Sequence, residues 1–212
     1  MSDQQKNIDR FLNSETLTNK ERLKQHYDQW AATYDEDLTR KTGYIVHQQA
    51  LPFFTKYVPV ESTILDAGSG TGLMGAVLKK AGYTQIEALD ISEEMLEYSS
   101  AKNLYQAYHL GVLGEHLELE TNTYDAVISI GAFGPTHAPP HSFEELIRII
   151  KPGGYLLFTM RENEIPQGGN FRIEMKRLTK QAYWTLVEES ACFEGFTENK
   201  TLLFKGFVYQ IT

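Results

Sequence analysis

Ile64-Leu65-Asp66-Ala67-Gly68-Ser69-Gly70-Thr71-Gly72-Leu73 decides the fold. Two β-favouring residues lead into an acid, glycines follow at alternate positions, and Leu73 opens a helix-compatible run to about residue 81. Gly82 suits the C-terminal cap of that helix. A strand, a glycine turn and a helix in that order form a ligand site by geometry. Glycine lets the backbone approach a ligand closely, and the first helical turn offers N–H groups with no partner in the helix.

Moving downstream, residues 86–90 read as a second short strand, followed by Ser92 as N-cap, two glutamates and a helix to about residue 103. Residues 105–110 are a candidate third strand, and Tyr-Asp-Ala-Val-Ile-Ser-Ile over 124–130 is an apolar run suited to a buried one. Ser142 is expected to cap a helix through residue 150, which Lys151-Pro152-Gly153-Gly154 stops before a fifth strand at 155–160. A long helix over roughly 171–189 and strands at 193–196 and 204–211 complete the reading. Short strands alternating with helices of about ten residues make right-handed βαβ units and a parallel sheet. The last two runs have no helix between them and are expected to pair as a hairpin.

Upstream, residues 8–38 are polar and helix-compatible, and Tyr27, Trp30, Ala31 and Tyr34 follow the i, i+3, i+4, i+7 spacing of one helical face. Residues 44–57 read as a second helix, interrupted or restarted at Pro52. The expected fold is α/β: a doubly wound, mainly parallel, seven-stranded Rossmann-like sheet with an antiparallel C-terminal edge hairpin and an N-terminal helical extension.

Composition narrows the function. The 212 residues are 42% apolar and 23% charged, an ordinary globular balance. Twenty Lys and Arg against 28 Asp and Glu give a net charge of −8, which argues against a nucleic-acid partner. The single cysteine, Cys192, allows no intrachain disulfide and no Cys-rich zinc site, and is expected to be a small buried apolar group. The polar first ten residues have no apolar signal core, and no run approaches the ~18 apolar residues of a membrane span. A cytoplasmic protein with no membrane association and no metal is expected; its oligomeric state is not read from these features.

Two ligand frames compete at the glycine turn. Gly70, Gly72 and Gly75 satisfy the G-x-G-x-x-G dinucleotide pattern, with Asp90 about twenty positions on. That frame begins too late after Leu65, however, whereas the frame from Gly68 puts Leu73 where its third glycine belongs. Asp66 would also set a negative charge beside a pyrophosphate. An acid there suits a ligand with an ammonium group. S-adenosylmethionine (SAM) has one, together with a carboxylate for the helix N-terminus and a ribose for Asp90.

The motif from Ile64 to Gly72 resembles the first motif of class I SAM-dependent methyltransferases. Leu89-Asp90-Ile91-Ser92-Glu93-Glu94-Met95-Leu96 resembles their second-strand motif, and Ile150-Lys151-Pro152-Gly153-Gly154 the turn before their fifth strand. With the aromatic lead-in from Tyr27 to Asp35 and Ile130-Gly131-Ala132-Phe133, the chain is most similar to the Williams–Beuren-region methyltransferase-like proteins. The resemblance implies a single class I methyltransferase domain over residues 1–212, with 1–58 as helical lid or extension and 59–212 as α/β core. It implies SAM as cofactor, bound at Asp66, Ala67, Gly68, Ser69, Gly70 and Gly72. Asp90 is expected at the ribose hydroxyls and Ile91 and Met95 along the adenine. Ser129, Ile130 and Gly131 are expected at the methionine portion, with Tyr27, Trp30 and Tyr34 closing over the site. One departure is visible: Val112 stands where many members carry an acid, leaving adenine contact there to backbone and to Val112 and Leu113.

His137 lies after the fourth strand, where open α/β sheets bind ligands, and is the candidate general base; His141 adjoins the next helix and is a candidate cap. The function expected is methyl transfer from SAM to a small-molecule acceptor by in-line displacement. Two alternatives stand beside it: a SAM-binding regulatory module without its own activity, and an NAD-dependent oxidoreductase.

Overall fold

The carboxyl ends of four parallel strands frame the site, and their order follows from where the chain turns back. The structure is a computed structural model describing residues 19–134 and 137–212. The helical stretch expected over residues 8–18 lies outside the described residues. Strands β1 (Ile64–Ala67), β2 (Ile86–Asp90) and β3 (Tyr108–Leu110) step outward to one side, and β4 (Tyr124–Ser129) and β5 (Ile150–Arg161) to the other. The sheet order is β3-β2-β1-β4-β5-β8-β6, where β6 is Trp184–Glu189 and β8 is Leu203–Ile211. Strands β1 to β5 pair in parallel, while β8 runs antiparallel to both β5 and β6. The reversal between β1 and β4 is the switch point at which such sheets bind ligands.

The period-2 alternation of strand side chains divides the core into two layers. Ile64, Ala126, Ile128 and Leu157 face α2 (Val46–Thr55) and α3 (Leu73–Lys80), meeting Phe54 and Leu78. Leu65, Val127, Leu156 and Phe158 face α5 (Ser142–Ile149) and α6 (Asn170–Lys180), meeting Phe143, Leu146 and Met175. A third cluster of Trp30, Leu38, Tyr44, Val46, Phe196 and Phe204 roots the N-terminal segment. That segment is α1 (Lys20–Trp30), a 3-10 turn (Ala31–Thr33) and a π-helical stretch (Glu36–Arg40), so the aromatic face from Tyr27 to Tyr34 spans a change of helix type. Ser92 caps α4 (Glu93–Ser100) by accepting from the Met95 N–H at 3.1 Å, and Gly82 follows α3 at φ +101°.

Several expectations need correction. The helix over 171–189 divides: α6 ends at Lys180, Ala182 turns at φ +57°, and Trp184–Glu189 is the edge strand. Its aromatic and β-branched residues pair with β8, and Trp184 is buried on the α6 face. The run at 193–196 supplies the two-residue β7 (Phe193–Glu194), which pairs antiparallel with β8 as expected, while the sheet's edge strand is β6, also antiparallel to β8. Ser142 is the first residue of α5 rather than its cap, and its buried hydroxyl has no partner among the described residues. Strand β5 begins at Ile150, expected as the last helical residue, and runs through the expected stop, with a register shift opposite Tyr124 and Ala126. Helix α2 runs on through Pro52. Cys192 is exposed.

Candidate active site

Where β1 and β4 end, a cavity of about 410 Å³ opens, and a smaller one of about 40 Å³ shares Tyr34, Gly68, Gly70 and Ile130 with it. The glycine turn is built for this place. Gly68, Gly70 and Gly72 have φ of +77°, +53° and +93°, a region costly for residues with a Cβ. A Cβ on Gly68 would lie 2.5 Å from that of Ala132, whereas one on Gly70 would meet nothing within 4 Å. Gly75 has a separate purpose: a Cβ there would lie 2.3 Å from the hydroxyl of Tyr105. The glycine that completes the dinucleotide pattern thus makes room for a tyrosine.

That tyrosine reaches Asp66, donating from Oη to Oδ2 at 2.6 Å. Asp66 is 1% exposed, and burial pushes its carboxyl up to about 7 against the Tyr105 bond, with the nearby charge of Asp90 adding to the rise. Asp90 accepts the Gly70 N–H on Oδ2 at 2.7 Å and the Ser92 N–H on Oδ1 at 2.9 Å. Burial raises its pKa too, and the N–H groups of Ser92, Gly70 and Ile91 oppose the rise. One buried carboxylate thus lines each cavity, Asp90 the larger and Asp66 the smaller.

Most expected site residues meet here. Gly68, Gly70, Asp90, Ile91, Met95, Val112, Leu113, Ile130 and Gly131 line the large cavity, Val112 taking an apolar place where an acid was a possibility. Ser69 lines the small one. Ala67, Gly72 and Ser129 line neither; the Ser129 hydroxyl donates to the Ala67 carbonyl at 2.7 Å, holding β1 to β4 behind the wall. Trp30 is fully buried, its indole N–H bound to Asp37 at 3.0 Å, so it supports the wall instead of lining it. Tyr27 and Tyr34 do line it.

Helix α1 closes one side through contacts distant in sequence. The Tyr27 hydroxyl is hydrogen-bonded to His137 Nε2 at 2.9 Å. Ser92 Oγ donates to Asp28 at 2.6 Å, Thr71 donates to Asp35, and Lys20 pairs with Glu115. Burial lowers His137 to about 4, with His26 adding to the effect, so its ring is neutral near pH 7. His141 precedes α5 without a side-chain cap bond and donates from Nε2 to the Gly114 carbonyl at 3.1 Å. Residues that sequence reasoning missed include Lys20, Leu23 and Glu115 at the large cavity and Tyr44 and His47 at the small one. None of them belongs to a local pattern; Lys20, Leu23, Tyr44 and His47 lie near the aromatic lead-in in sequence, and Glu115 does not.

The site fits SAM on its own atoms. Ser69 Oγ and His47 Nδ1 are buried without partners among the described residues, and both residues line the small cavity beside Asp66. Buried polar groups of this kind want a polar ligand. Asp66 suits an ammonium, and Asp90 retains lone pairs for hydroxyls.

Residues 65–158 match the family described as a methyltransferase domain. The chain is 37% identical over 141 residues to methyltransferase-like protein 27 of Homo sapiens, covering 65% of this chain and 57% of that protein. It is 30% identical over 151 residues to a malonyl-[acyl-carrier protein] O-methyltransferase of a Marinomonas species, covering 69% and 52%. The chain therefore spans little more than half the length of these relatives. Among solved structures, a methyltransferase in complex with the Trm112 methyltransferase activator of Haloferax volcanii has a TM-score of 0.66 at 21% identity, covering 87% of this chain and 97% of that one. A SAM-dependent methyltransferase from Aquifex aeolicus has a TM-score of 0.60 at 22% identity, covering 87% and 98%; both likenesses speak for the fold alone. The matched domain and the curated relatives, read with the three motifs, place the chain in the class I SAM-dependent methyltransferase superfamily, whose cofactor is SAM, and the sheet order agrees.

Proposed function

We propose that the protein is an enzyme that transfers a methyl group from SAM to a small-molecule acceptor. The observation that carries this reading is the pair of buried carboxylates, Asp66 and Asp90, one in each of two joined cavities beside a glycine turn. When bound, SAM supplies an activated methyl group on a sulfonium. The chain's own part is to hold and align: Asp90 for the ribose, Asp66 with Ser69 and His47 for the amino-acid end, and Ile91, Met95, Val112 and Leu113 for the adenine. Good alignment of this kind is worth up to ~7–11 kcal/mol of the barrier. Helix α1 excludes water from the cavity. His137, neutral and on the cavity wall with Nε2 bonded to Tyr27, is the candidate to accept a proton where the acceptor must lose one, although its lowered pKa makes it a weak base.

A small acceptor is supported by the concave site and by the net charge of −8, which disfavours polyanionic partners. The malonyl-[acyl-carrier protein] O-methyltransferases among the relatives place oxygen acceptors first in a screen. The primary test is thermal melting with SAM or NAD. SAM at a hundredfold excess over its Kd should stabilise the protein by ~2.7 kcal/mol. A shift with NAD and none with SAM overturns the proposal, and SAM binding without turnover on any acceptor favours the regulatory module instead.

A further inference from the structure

The two cavities meet at Tyr34, Gly68, Gly70 and Ile130. Two of these have no side chain, and the side chain of Ile130 has no polar atom. Among the described residues lining both, only Tyr34 therefore offers a π face or a side-chain oxygen. Its ring is held edge-on by Trp30, with centroids 4.8 Å apart, and by Tyr27 at 6.3 Å. Trp30 is itself immobilised by full burial and by its bond to Asp37. Tyr27 lines the large cavity and Tyr44 the small one, so tyrosines flank the passage on both sides. Burial keeps the Tyr34 phenol protonated, well above its ordinary pKa.

The role of Tyr34 inferred here depends on SAM binding as proposed above. If the ribose lies at Asp90 and the amino-acid end at Asp66, the sulfur that covalently joins them passes the junction of the cavities, and Tyr34 is there. We infer that Tyr34 reads charge at this junction, favouring the sulfonium of SAM over the neutral thioether of the product, S-adenosylhomocysteine. An aromatic face attracts a cation within about 6 Å, and more strongly where water is excluded. A thioether at the same place keeps the dispersion contact and loses the electrostatic one. The ammonium and ribose are common to both ligands, so Asp66 and Asp90 hold those parts alike in each. Selection by Tyr34 would weaken the grip on the product as soon as the methyl has left.

The test is calorimetric titration of the full chain with three ligands: SAM, S-adenosylhomocysteine, and sinefungin, which carries a protonated amine in place of the sulfonium. Tyr34→Leu should weaken SAM and sinefungin by about fivefold or more beyond any loss for S-adenosylhomocysteine. Tyr34→Phe should keep the wild-type ratio of SAM to S-adenosylhomocysteine within about twofold, which assigns the effect to the ring face. A ratio that falls in both variants assigns it to the phenol oxygen and still supports charge reading by Tyr34. Should Tyr34→Leu lose its cooperative melt, Tyr34→Met keeps much of the volume without a π face and takes over the same comparison. Equal losses for all three ligands make Tyr34 a packing residue and overturn the inference. Wild-type protein that binds none of the three overturns the cofactor reading itself, whereas SAM binding with a ratio indifferent to Tyr34 overturns only this inference.

Discussion

The large cavity has two walls of different construction. One comes from the sheet: the turn from Gly68 to Gly72, Asp90 and Ile130 sit at strand ends fixed by adjacent parallel pairing. The other comes from the N-terminal segment: Lys20, Leu23, Tyr27 and Tyr34 reach the cavity only because α1 is tied down from afar. The segment's ties include Tyr27 to His137 and Asp28 to Ser92 from α1 and Asp35 to Thr71 just beyond it, spanning 110, 64 and 36 positions. A wall encoded locally tolerates little change in any one residue. A wall assembled from several separate polar ties loses a fraction when one is cut.

The severest way to challenge that contrast is at Gly68. Gly68→Ala forces a residue with a Cβ into φ +77° and drives it to 2.5 Å from Ala132. The left-handed backbone costs about 1–2 kcal/mol and the displaced neighbours about 1–3 more. A fall in melting temperature of about 6 °C or more should follow in a chain of this size, with loss of SAM binding. A fall under about 2 °C would mean that the turn yields, and that the sheet wall is no stiffer than the other. Next comes Asp90→Asn. The new amide presents a donor to either the Gly70 or the Ser92 N–H, which now both donate to the carboxylate. Charge-assisted bonds to the ribose contribute about 1.5–3 kcal/mol each, so SAM affinity should drop at least about tenfold by calorimetry. Unchanged affinity in the folded variant would remove Asp90 from the site.

The same division explains what could be read in the sequence. The glycine turn, Asp66, Asp90 and the Ser92 cap are local patterns whose backbone demands show in neighbouring residues. Tyr34 and Tyr27 were named through the resemblance, and their helical spacing alone could not separate them from Trp30. All three share one face, yet Trp30 packs into the third cluster while its neighbours face the cavity. Lys20, Glu115 and His47 carry no pattern, because what brings them to the site is the long-range docking of α1 and α2. Residues 184–189 failed for a related reason. Thr185, Leu186 and Val187 are exposed on an edge strand, so the alternation that marks a half-buried strand is blurred by the register shift between Leu186 and Glu188. Apolar and acidic residues then continued a helix on paper that Ala182 ends in space.

Within the sheet wall, Asp66 links the comparison to pH. Its carboxyl is pushed up to about 7 in the folded chain, above the ordinary carboxylate range, so the folded state holds its proton more tightly than the unfolded state. This group therefore contributes stability that is present at low pH and is lost as pH rises through about 7. A ligand ammonium favours the ionised form, so binding should release a proton below about pH 7. SAM affinity should accordingly rise by about tenfold from pH 6 to pH 8 and then level off. Asp66→Asn should flatten that dependence, and a profile equally steep in this variant would assign the proton to another group.

The mildest effect is expected in the helix wall, at Asp28. Its carboxylate accepts from Ser92 Oγ at 2.6 Å and from Lys24 Nζ at 2.7 Å. The Lys24 pair lies within one helix, with Lys24 more than a third exposed, and contributes little. The bond to Ser92 joins α1 to α4, and Ser92 would still cap α4 through the Met95 N–H without it. Asp28→Ala should thus cost about 0.5–1.5 kcal/mol of stability and weaken SAM about two- to fivefold. Truncating the N-terminus would be a poorer experiment, because removing Trp30 uncovers Val46, Phe196 and Phe204, and the loss would mix closure with unfolding. A double-mutant cycle with Ser92→Ala separates the tie from the cap, since the coupling counts only what the two side chains do together. Coupling near zero would leave the docking of α1 to its aromatic root and its remaining ties to His137 and Glu115. If Asp28→Ala instead weakened SAM as much as Asp90→Asn, closure would matter as much as the pocket floor, and the two walls would have to be treated as one cooperative unit.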